Sequence, residues 1–416
     1  MAVKTCDVLI IGAGPAGSSA AALMQRAGFD AVIVEKQKFP RFVIGESLLP
    51  RCMDLLHEAG MLEAVEARDY IIKNGAVFLK NEQQRTINFN EKFTPGWGYT
   101  FQVPRDDFDQ VLADSAEKQG VEIIWQQTVT AVQLNSDGVM ATIEDKEGET
   151  SVISSRFIFD ASGYGRVLPT LLDLEAPSSL PLRYSVFTHI TGDIRPAGAE
   201  EGKIWICVLP EENSWLWIIP FANGKTSVGL VAKPDFIEKL AGKNLDEKLK
   251  AAFQLEKNAK QRLADAEFCF PAVKIDGYST AVKQFTGQHY ALLGNASEFL
   301  DPVFSSGVTL AMESANRAAK TLIRQFNGED IDWDKEYSSY LAQGVEIFRT
   351  FVNAWYDDKL PTIFFSTNQP ENIRKQICSI LAGYVWDDNN PCVREHDRAV
   401  NNLAAASAIM AEKKES

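Results

Sequence analysis

A glycine-rich turn near the start of the chain limits the fold more than any other feature of the sequence. Residues 7–11 form a short apolar run that predicts a buried parallel strand. An alanine-rich segment then predicts a helix that stops near Gly28, and residues 31–35 predict a second strand. Between the first strand and the helix lies the turn Gly12-Ala13-Gly14-Pro15-Ala16-Gly17. This order of strand, turn, helix and strand predicts a dinucleotide-binding unit.

The parts of this unit have separate roles in holding a dinucleotide. Gly12 permits the tight turn, Gly14 lets the backbone approach a pyrophosphate, and Gly17 lets the helix pack closely against the strand. The helix N-terminus offers free N–H groups to the phosphates. Glu35 follows Gly17 by 18 residues, a distance that suits a hydrogen bond with a ribose hydroxyl. The residues expected to contact the nucleotide here are Gly12, Gly14, Pro15, Ala16, Gly17, Glu35 and Lys36.

The composition argues against several classes of function. A net charge of −14 disfavours nucleic acid or an anionic membrane as the main partner. No run of eighteen apolar residues occurs, and the chain enters a strand at once, which predicts neither a transmembrane helix nor a signal peptide. Six cysteines without CxxC spacing and four separated histidines predict reduced thiols and no metal site. We therefore expect a cytoplasmic protein.

A length of 416 residues predicts two intertwined domains and a tail. Buried strands that end in glycine turns recur at residues 157–163 and 290–296, and the segment between them is rich in strand patterns. We predict an α/β fold in which residues 1–182 and 273–330 form a Rossmann-type nucleotide-binding domain. Residues 183–272 form an inserted antiparallel β-sheet substrate domain. Residues 331–416 form a helical C-terminal region, which frays from about residue 404.

Four strings make the chain resemble the FAD-dependent monooxygenase superfamily with the para-hydroxybenzoate hydroxylase fold, over nearly all of residues 5–330. They are the glycine-rich turn with Glu35, Arg105 in the context Pro-Arg-x-x-Phe-Asp, the turn Asp160-Ala161-Ser162-Gly163, and Gly294-Asn295. The resemblance implies FAD as the cofactor, with Arg105, Asp160, Gly163, Gly294 and Asn295 at its site. The family carries an acid where this chain has Asn295, which can still hydrogen-bond but has no charge.

Two further strings are similar to flavin-dependent halogenases and to geranylgeranyl-reductase-like enzymes. The first is Phe39-Pro40-Arg41 followed by Gly45-Glu46-Ser47-Leu48-Leu49-Pro50, and the second is Asp301-Pro302-Val303-Phe304-Ser305-Ser306-Gly307-Val308. The second precedes a predicted helix, so its N–H groups point at whatever occupies the site. The resemblance implies that it faces the flavin and holds a halide; the alternative is a simple N-capping turn. The cofactor-binding candidates added here are Arg41, Ser47, Asp301, Ser306, Gly307 and Val308.

The string Trp215-Leu216-Trp217-Ile218-Ile219-Pro220 matches WxWxIP, a halogenase signature. On a strand, Trp215, Trp217 and Ile219 share one face, and Trp205 is expected beside them on a neighbouring strand. The alternative is an aromatic sheet face that is buried only for packing. Reductases of the geranylgeranyl type carry an aromatic-x-Trp string here, so the signature is shared in part. We expect Trp215 and Trp217 to separate the organic substrate from the flavin.

Lys73 begins Lys73-Asn74-Gly75-Ala76-Val77-Phe78, which resembles the KxGAxF string of halogenases that act on phenols and pyrroles. In those enzymes reduced flavin and O₂ oxidise halide to hypohalous acid, and a lysine either hydrogen-bonds the oxidant or carries it as a haloamine. The apolar neighbours of Lys73 favour a desolvated, reactive amine. The alternative is a solvated lysine at the start of a strand. Phe304 replaces a glutamate of the tryptophan-halogenating branch, which argues against free tryptophan as substrate.

Three catalytic functions therefore remain open from the sequence. The favoured one is a halogenase-like FAD enzyme that acts on a small phenolic or pyrrolic substrate, either free or tethered to an acyl or peptidyl carrier protein. The resemblance implies that a partner reductase supplies its reduced flavin. No second GxGxxG is visible, which argues against a dedicated NAD(P) domain. The alternatives are an aromatic hydroxylase that uses NAD(P)H directly and a C=C reductase or dehydrogenase. A flavoprotein without catalysis is a distant fourth.

Overall fold

The computed structural model describes residues 3–210, 213–366 and 369–415, with side chains up to residue 409. The strands are β1 (Val3–Ile11), β2 (Ala31–Glu35), β3 (Ile71–Lys73), β4 (Gly75–Lys80), β5 (Gln83–Asn88), β6 (Thr100–Gln102), β7 (Glu122–Trp125), β8 (Gln127–Asn135), β9 (Gly138–Asp145), β10 (Thr150–Asp160), β11 (Glu175–Ala176), β12 (Tyr184–Thr191), β13 (Ile204–Val208), β14 (Trp215–Pro220), β15 (Thr226–Ala232), β16 (Glu267–Phe268), β17 (Val273–Asp276), β18 (Ala281–Val282), β19 (Thr286–Gly287) and β20 (Tyr290–Leu292).

The helices alternate with these strands at first and then make up the C-terminal part of the chain. They are α1 (Pro15–Arg26), α2 (Arg51–Glu58), α3 (Leu62–Glu66), α4 (Arg105–Lys118), α5 (Val167–Leu171), α6 (Pro234–Lys239), α7 (Leu245–Phe253), α8 (Lys257–Arg262), α9 (Ser306–Phe326), α10 (Ser339–Tyr356), α11 (Lys359–Phe365), α12 (Glu371–Leu381), α13 (Pro391–Arg394) and α14 (His396–Glu415).

The first large sheet contains the dinucleotide unit that the sequence predicts. Its strands lie in the order β19-β20-β10-β1-β2-β7, and the hairpin of β8 and β9 pairs with the first half of β10. β20, β10, β1, β2 and β7 run parallel. The apolar run of β2 is buried along its whole length, as expected of a parallel strand covered on both faces. The predicted α/β fold is thereby confirmed.

The second large sheet is antiparallel except where β13 runs parallel to β4. Its order is β16-β12-β15-β14-β13-β4-β5, and β17 also pairs with β12. The helices α6, α7 and α8 pack on its outer face. β4, β5 and β17 belong to this sheet although they lie outside residues 183–272. The inserted sheet thus takes strands from both flanks of the segment in which the sequence predicts it.

The C-terminal helices pack against the core that joins the two large sheets. Buried residues of α10 and α11 share one apolar cluster with α1, with α9 and with the inner face of β14. The backbone of α14 stays helical to Glu415, and the side chains of residues 401–409 are exposed or half-buried.

Three structural findings bear on the functions that the composition disfavours. Within residues 3–210, 213–366 and 369–415, no helix is both long and apolar enough to cross a membrane. The same residues contain no group of three or more side chains that could hold a metal ion. All six cysteines have free thiols.

Candidate active site

A cavity of about 280 Å³, called here the large cavity, lies where the carboxyl ends of β1, β2 and β10 face β14 of the second sheet. Most residues predicted for the site line it. They are Gly12, Gly14, Pro15, Ala16, Glu35, Lys36, Arg41, Ser47, Arg105, Gly163, Trp215, Trp217, Gly294, Asn295, Gly307 and Val308. Five predicted residues lie behind or beside its wall, namely Gly17, Lys73, Asp160, Asp301 and Ser306.

The glycine-rich turn has little space except on the side of the cavity. Gly12 has a φ of +97°, and a Cβ there would lie 2.7 Å from the carbonyl oxygen of Ala161. A Cβ on Gly17 would lie 1.8 Å from the carbonyl oxygen of Gly12, so only glycine lets α1 approach β1 this closely. A Cβ on Gly14 would meet only the Arg41 guanidinium at 3.6 Å. Gly14 is therefore the glycine whose open side faces the cavity.

Glu35 holds the turn in place through both carboxylate oxygens. Oε2 accepts a hydrogen bond from the Ala13 N–H at 2.8 Å, and Oε1 accepts one from the Gln37 N–H at 2.9 Å. Each oxygen keeps a second lone pair, because a carboxylate oxygen accepts more than one hydrogen bond. Glu35 thus orients the turn and can still accept a ribose hydroxyl.

Two arginines share one buried carboxylate at the wall of the cavity. Arg105 Nε and Nη2 donate to the two oxygens of Asp109 at 2.7 and 3.0 Å, and Arg41 Nη1 donates to Oδ2 at 2.9 Å. Arg105 Nη1 also donates to the carbonyl oxygens of Ile44 and Gly45. Two guanidinium groups against one carboxylate leave one net positive charge, which suits the negative phosphates of a dinucleotide.

Asp160 and Asp301 organise backbone turns from behind the cavity wall. Asp160 accepts hydrogen bonds from the N–H groups of Ser162 and Leu168 at 2.8 and 2.6 Å, which fixes the turn that carries Gly163. Burial raises the pKa of Asp160 above its ordinary value. Asp301 Oδ1 accepts from the Val303 N–H at 3.0 Å. Residues of both turns, among them Ser162, Gly163 and Pro302, line the cavity.

The tryptophan strand faces the cavity as predicted, with one exception. Trp215, Trp217 and Ile219 line the large cavity, while the alternate residues of β14 face the outer core. Trp205 was expected beside these tryptophans, and this is wrong. Trp205 lies on β13, pairs with Ile218 of β14 and faces the outer core, where the Arg262 guanidinium stacks on its ring at 4.5 Å. Period-two alternation places cross-strand partners on one face, so Trp205 follows Ile218 outward.

A hydrogen-bonded network connects the tryptophan strand to the C-terminal helices. Trp215 Nε1 donates to the Tyr356 hydroxyl at 3.0 Å, and that hydroxyl donates to Asp301 Oδ2 at 2.9 Å. The Tyr278 hydroxyl donates to the same oxygen at 3.0 Å. Sequence reasoning missed Tyr278 and Tyr356, because no local pattern reveals a contact across 141 positions.

The N-terminus of α9 also opens toward the cavity. Ser305 precedes the helix with a φ of +57°, and no side chain caps the first turn by a hydrogen bond. The alternative that Ser305 or Ser306 caps this helix is therefore wrong. Ser305, Gly307 and Val308 line the large cavity. A helix N-terminus without a cap carries partial positive charge and free N–H groups, which favour an anion.

Lys73 is buried next to the large cavity. Its side chain is among the largest fully buried ones, with 1% exposure, and its Nζ donates to the Leu48 carbonyl oxygen at 2.7 Å. The alternative of a solvated lysine is wrong. Burial lowers the pKa of Lys73 from 10.5 to about 7. The Coulomb interaction with the Cys52 thiol opposes this shift but does not cancel it.

A second, smaller cavity of about 20 Å³, called here the lysine chamber, has Lys73 in its wall. Ile204 and Ser305 line both cavities, so the two spaces lie on either side of these residues. The remaining wall is apolar, apart from Lys73, and consists of Leu49, Ala76, Phe78, Ile87, Phe89, Ile206, Val303, Phe304 and Leu381. The chamber has room for about one water molecule.

Comparison with known proteins assigns the family. Residues 5–339 match the family described as FAD binding domain. A chlorinase of 1H-pyrrole-2-carbonyl peptidyl-carrier protein from Pseudomonas fluorescens is 28% identical over 405 residues, which cover 91% of this chain and 89% of the relative. The chain belongs to the FAD-dependent halogenase and monooxygenase superfamily.

Two solved structures resemble this FAD-dependent enzyme over nearly its whole length. A flavoprotein/dehydrogenase from Cytophaga hutchinsonii is 44% identical with a TM-score of 0.94, and the match covers 98% of this chain and 99% of that one. The flavin-dependent brominase Bmp2 is 26% identical with a TM-score of 0.84, and the match covers 99% and 100% of the two chains. The predicted FAD cofactor and the halogenase-like assignment are confirmed.

The large cavity has features that fit FAD. Gly14 leaves open space beside the N-terminus of α1, which has no side-chain cap. Two buried polar atoms of residues that line the cavity, Glu46 Oε2 and Ser47 Oγ, have no hydrogen-bond partner among the described residues. Buried polar groups usually have partners, so unpaired ones in a cavity wall indicate a bound group or ordered water.

Glu46 is a site residue to which the sequence analysis gave no role. It is 1% exposed, and its Oε1 lies 2.6 Å from His189 Nε2 on β12. This contact joins the loop before α2 to the second sheet across the cofactor site. The motif Gly45-Glu46-Ser47 contained the signal, but the partner lies 143 positions away.

The buried lysine of this FAD enzyme makes its folding stability depend on pH. The pKa of Lys73 is about 7 when folded and 10.5 for an exposed lysine, so the unfolded chain binds more protons between these values. The free energy of unfolding therefore rises as pH increases from about 7 to 10.5. Lys73→Met should remove this rise and stabilise the protein at pH 7 by about 1–4 kcal/mol. Urea unfolding at pH 7 and pH 9.5 measures both effects.

Lys260→Met is the control for this prediction, because Lys260 is exposed. It should leave the pH dependence of unfolding as in the wild type. A Lys73→Met protein that is less stable than the wild type at pH 7 would show that Lys73 stabilises the fold instead of destabilising it.

Proposed function

We propose that this enzyme uses reduced FAD and O₂ to oxidise a halide and then halogenates a phenolic or pyrrolic substrate with the help of Lys73. The observation that carries the proposal is the buried amine of Lys73 in a small, mostly apolar chamber beside the cofactor cavity. A hydroxylase or a reductase needs no buried amine, so a lysine exposed to bulk solvent would be equally compatible with those activities. A buried amine costs stability, and such a cost is typical of functional sites.

FAD in the large cavity would be held by four groups of contacts. The turn around Gly14 and the N-terminus of α1 would hold the pyrophosphate, and Glu35 with Lys36 would bind the adenosine ribose. Arg41 and Arg105 would add positive charge at the phosphates. Gly294, Asn295 and the turn of Gly163 would support the ribityl chain and the ring. Bound FAD, once reduced, supplies with O₂ the oxidising power that turns halide into a hypohalous species.

The uncapped N-terminus of α9 would hold the halide. N–H groups of Ser306 and Gly307 are free of side-chain partners in the first turn, and residues on either side of Ser306 line the cavity. Trp215 and Trp217 form the cavity wall on the second sheet, and Tyr356 fixes Trp215 through its indole nitrogen. This wall would keep an organic substrate away from the cofactor while a small oxidant passes.

Lys73 would receive the oxidised halogen in the chamber. With a pKa near 7, both of its protonation states are present at neutral pH. The ammonium form can donate a hydrogen bond to a hypohalous species, and the amine form can take the halogen as a haloamine. In both cases, the position of Nζ, fixed by the Leu48 carbonyl oxygen, would decide which carbon of the substrate reacts.

The lysine chamber sets a condition on the substrate. A volume of about 20 Å³ does not hold an aromatic ring, so side chains of the wall must move when the ring binds. Phe304 stands in this wall and packs edge-on against Trp355 with ring centroids 6.1 Å apart. The relative from Pseudomonas fluorescens acts on a carrier-bound pyrrole. We propose a phenolic or pyrrolic group, free or presented on a carrier protein, and reduced flavin from a partner reductase.

Phe304→Leu should widen the lysine chamber and favour small free substrates. The shorter side chain removes part of the wall at a cost of about 1–2 kcal/mol in stability. We expect bromination of a small free phenol to become several-fold faster than in the wild type. Phe351→Leu is the control, because Phe351 is equally buried but lines neither cavity. Equal rates in the two variants would contradict the role of Phe304.

A dehydrogenase or reductase is the second candidate function. The observation in its favour is the solved flavoprotein/dehydrogenase that is 44% identical to this chain. Such a reaction needs no halide and no buried amine, so Lys73 would be dispensable for it.

One product analysis separates these functions. The protein is mixed with FAD, a flavin reductase, NADH and bromide, and is offered a free phenol, a pyrrolyl group on a carrier protein, free tryptophan or an isoprenoid alkene. We expect brominated phenol or pyrrolyl product by mass spectrometry and unchanged tryptophan. In a parallel reaction that contains NADH but no flavin reductase, a hydroxylated product would support the hydroxylase. A changed number of double bonds in the isoprenoid would support the dehydrogenase.

A further inference from the structure

We propose that Ser47, Gln102 and Thr100 hold a short file of internal water molecules that carries protons between Lys73 and the large cavity. This inference rests on the proposed function for its purpose, but its physical test does not depend on catalysis. These three residues act through Lys73 and are positioning residues.

The small antiparallel sheet of β3 and β6 places these side chains on one face. Lys73 is directly opposite Thr100 in the register, and Ser47 forms an isolated bridge opposite Gln102. Residues i and i+2 of a strand point to the same side, so Thr100 and Gln102 share a face with their partners. The exposed Ile72 marks the opposite face. Along this face, the polar groups therefore follow one another in space in the order Ser47, Gln102, Thr100 and Lys73.

The two ends of this file open onto the two cavities. Ser47 lines the large cavity, and Lys73 lines the lysine chamber. Thr100 and Gln102 lie between them with no exposure to solvent. Water molecules held by these residues would connect the amine to the cofactor site without passing through bulk solvent.

All three positions have unpaired buried atoms. Ser47 Oγ, Thr100 Oγ1 and Gln102 Oε1 have no hydrogen-bond partner among the described residues. Each unpaired buried group costs about 1–3 kcal/mol, so three together on one face would be unfavourable in a dry protein. Internal waters that bridge such groups remove this cost. The Gln102 amide is anchored because its Nε2 donates to the Gly202 carbonyl oxygen at 3.1 Å.

Lys73 has hydrogen-bonding capacity for such water. An ammonium group has three N–H donors, and one of them is used by the Leu48 carbonyl oxygen. The other titratable group acting on Lys73 is the Cys52 thiol of α2, whose own pKa is raised by burial. Within the described residues no carboxylate acts on Lys73, so water is the natural acceptor for its remaining protons.

The proton balance of the relay is simple. The Lys73 ammonium gives one proton to the nearest water, and each hydroxyl or water in turn accepts one proton and releases another. One proton leaves at the Ser47 end into the large cavity, and Lys73 is left as a neutral amine. Gln102 accepts hydrogen bonds through Oε1 and holds a water in place, but it does not itself pass a proton.

Thr100→Val tests the file, because it removes the hydroxyl and keeps the shape. Fewer oxygen acceptors near the ammonium disfavour its charged form, so the pKa of Lys73 should fall by about one pH unit. NMR titration of labelled lysine side chains in the FAD-bound protein measures this value. In the halogenation assay, kcat should fall about tenfold with an unchanged KM for halide, and the pH profile should move to lower pH.

Two variants keep the test decisive. Thr280→Val makes the same change at another unpaired threonine hydroxyl that lines neither cavity, and it should leave the pKa and kcat unchanged. Thr100→Ser keeps a hydroxyl and should restore both quantities toward the wild type. If Thr100→Val and Thr280→Val have the same Lys73 pKa and the same kcat, the water file is wrong. If the pKa falls but the wild type forms no halogenated product, the proposed function fails and the water file stands.

Discussion

Lys73→Met should lower the formation of brominated product by at least about 100-fold while reduced flavin is still oxidised at a rate within about twofold of the wild type. The reason is that Nζ lies in the lysine chamber, whereas the residues that would hold FAD line the other cavity. Methionine matches the length of lysine and suits the apolar wall, so the chamber should keep its shape. Brominated product and flavin absorbance followed in one reaction measure the two rates.

Lys203→Met is the matched control for this experiment. Lys203 is also buried, its pKa is lowered by burial, and its Cε lies 3.1 Å from the position of a Cβ on Gly75, two residues after Lys73. Its amine lines neither cavity and instead contacts the Ala199 carbonyl oxygen. It should retain bromination. Equal loss in both variants, or full activity in Lys73→Met, would contradict a special role for Lys73.

Gly14→Ala should weaken FAD binding ten- to hundredfold without weakening the fold. The backbone of Gly14 has a φ of −71°, which any residue adopts, and the added methyl would point into the cavity near Arg41. It would take the space required by the pyrophosphate at a cost of about 1–3 kcal/mol in binding. FAD titration by flavin fluorescence gives the affinity, and thermal unfolding of the FAD-free protein gives the stability.

Gly17→Ala is the complementary variant, because it should affect folding stability directly. Its methyl would collide with the Gly12 carbonyl oxygen at 1.8 Å, so the loss should appear as a lower melting temperature already without FAD. An unchanged FAD affinity in Gly14→Ala would mean that the pyrophosphate lies elsewhere in the cavity.

The sequence predicted those parts of the site that depend on local order. The unit from β1 to β2 has its strand, turn and helix within 35 residues, so spacing alone places Gly12, Gly14 and Glu35 correctly relative to each other. Alternation along β14 likewise predicts that Trp215 and Trp217 share a face. The apolar neighbours of Lys73 likewise indicate a desolvated amine, because they lie next to it along the chain.

Long-range pairing accounts for what the sequence did not show. β4 joins β13 across more than a hundred residues, and this pairing places the Lys73 segment against the inserted sheet. Trp205 faces outward because its register partner is Ile218, which no local pattern reveals. Tyr356 reaches Trp215 and Asp301 only because α10 packs over the second sheet. A single sequence contains no local signal for such contacts.

The most direct test of the account is a single turnover of the reduced enzyme. Protein with photoreduced FAD is mixed with O₂, bromide and an activated phenol, and brominated product is counted per flavin by mass spectrometry. The account predicts bromide-dependent product that approaches one per flavin in the wild type and is nearly absent in Lys73→Met. Complete reoxidation of the flavin in the wild type without brominated product would contradict it.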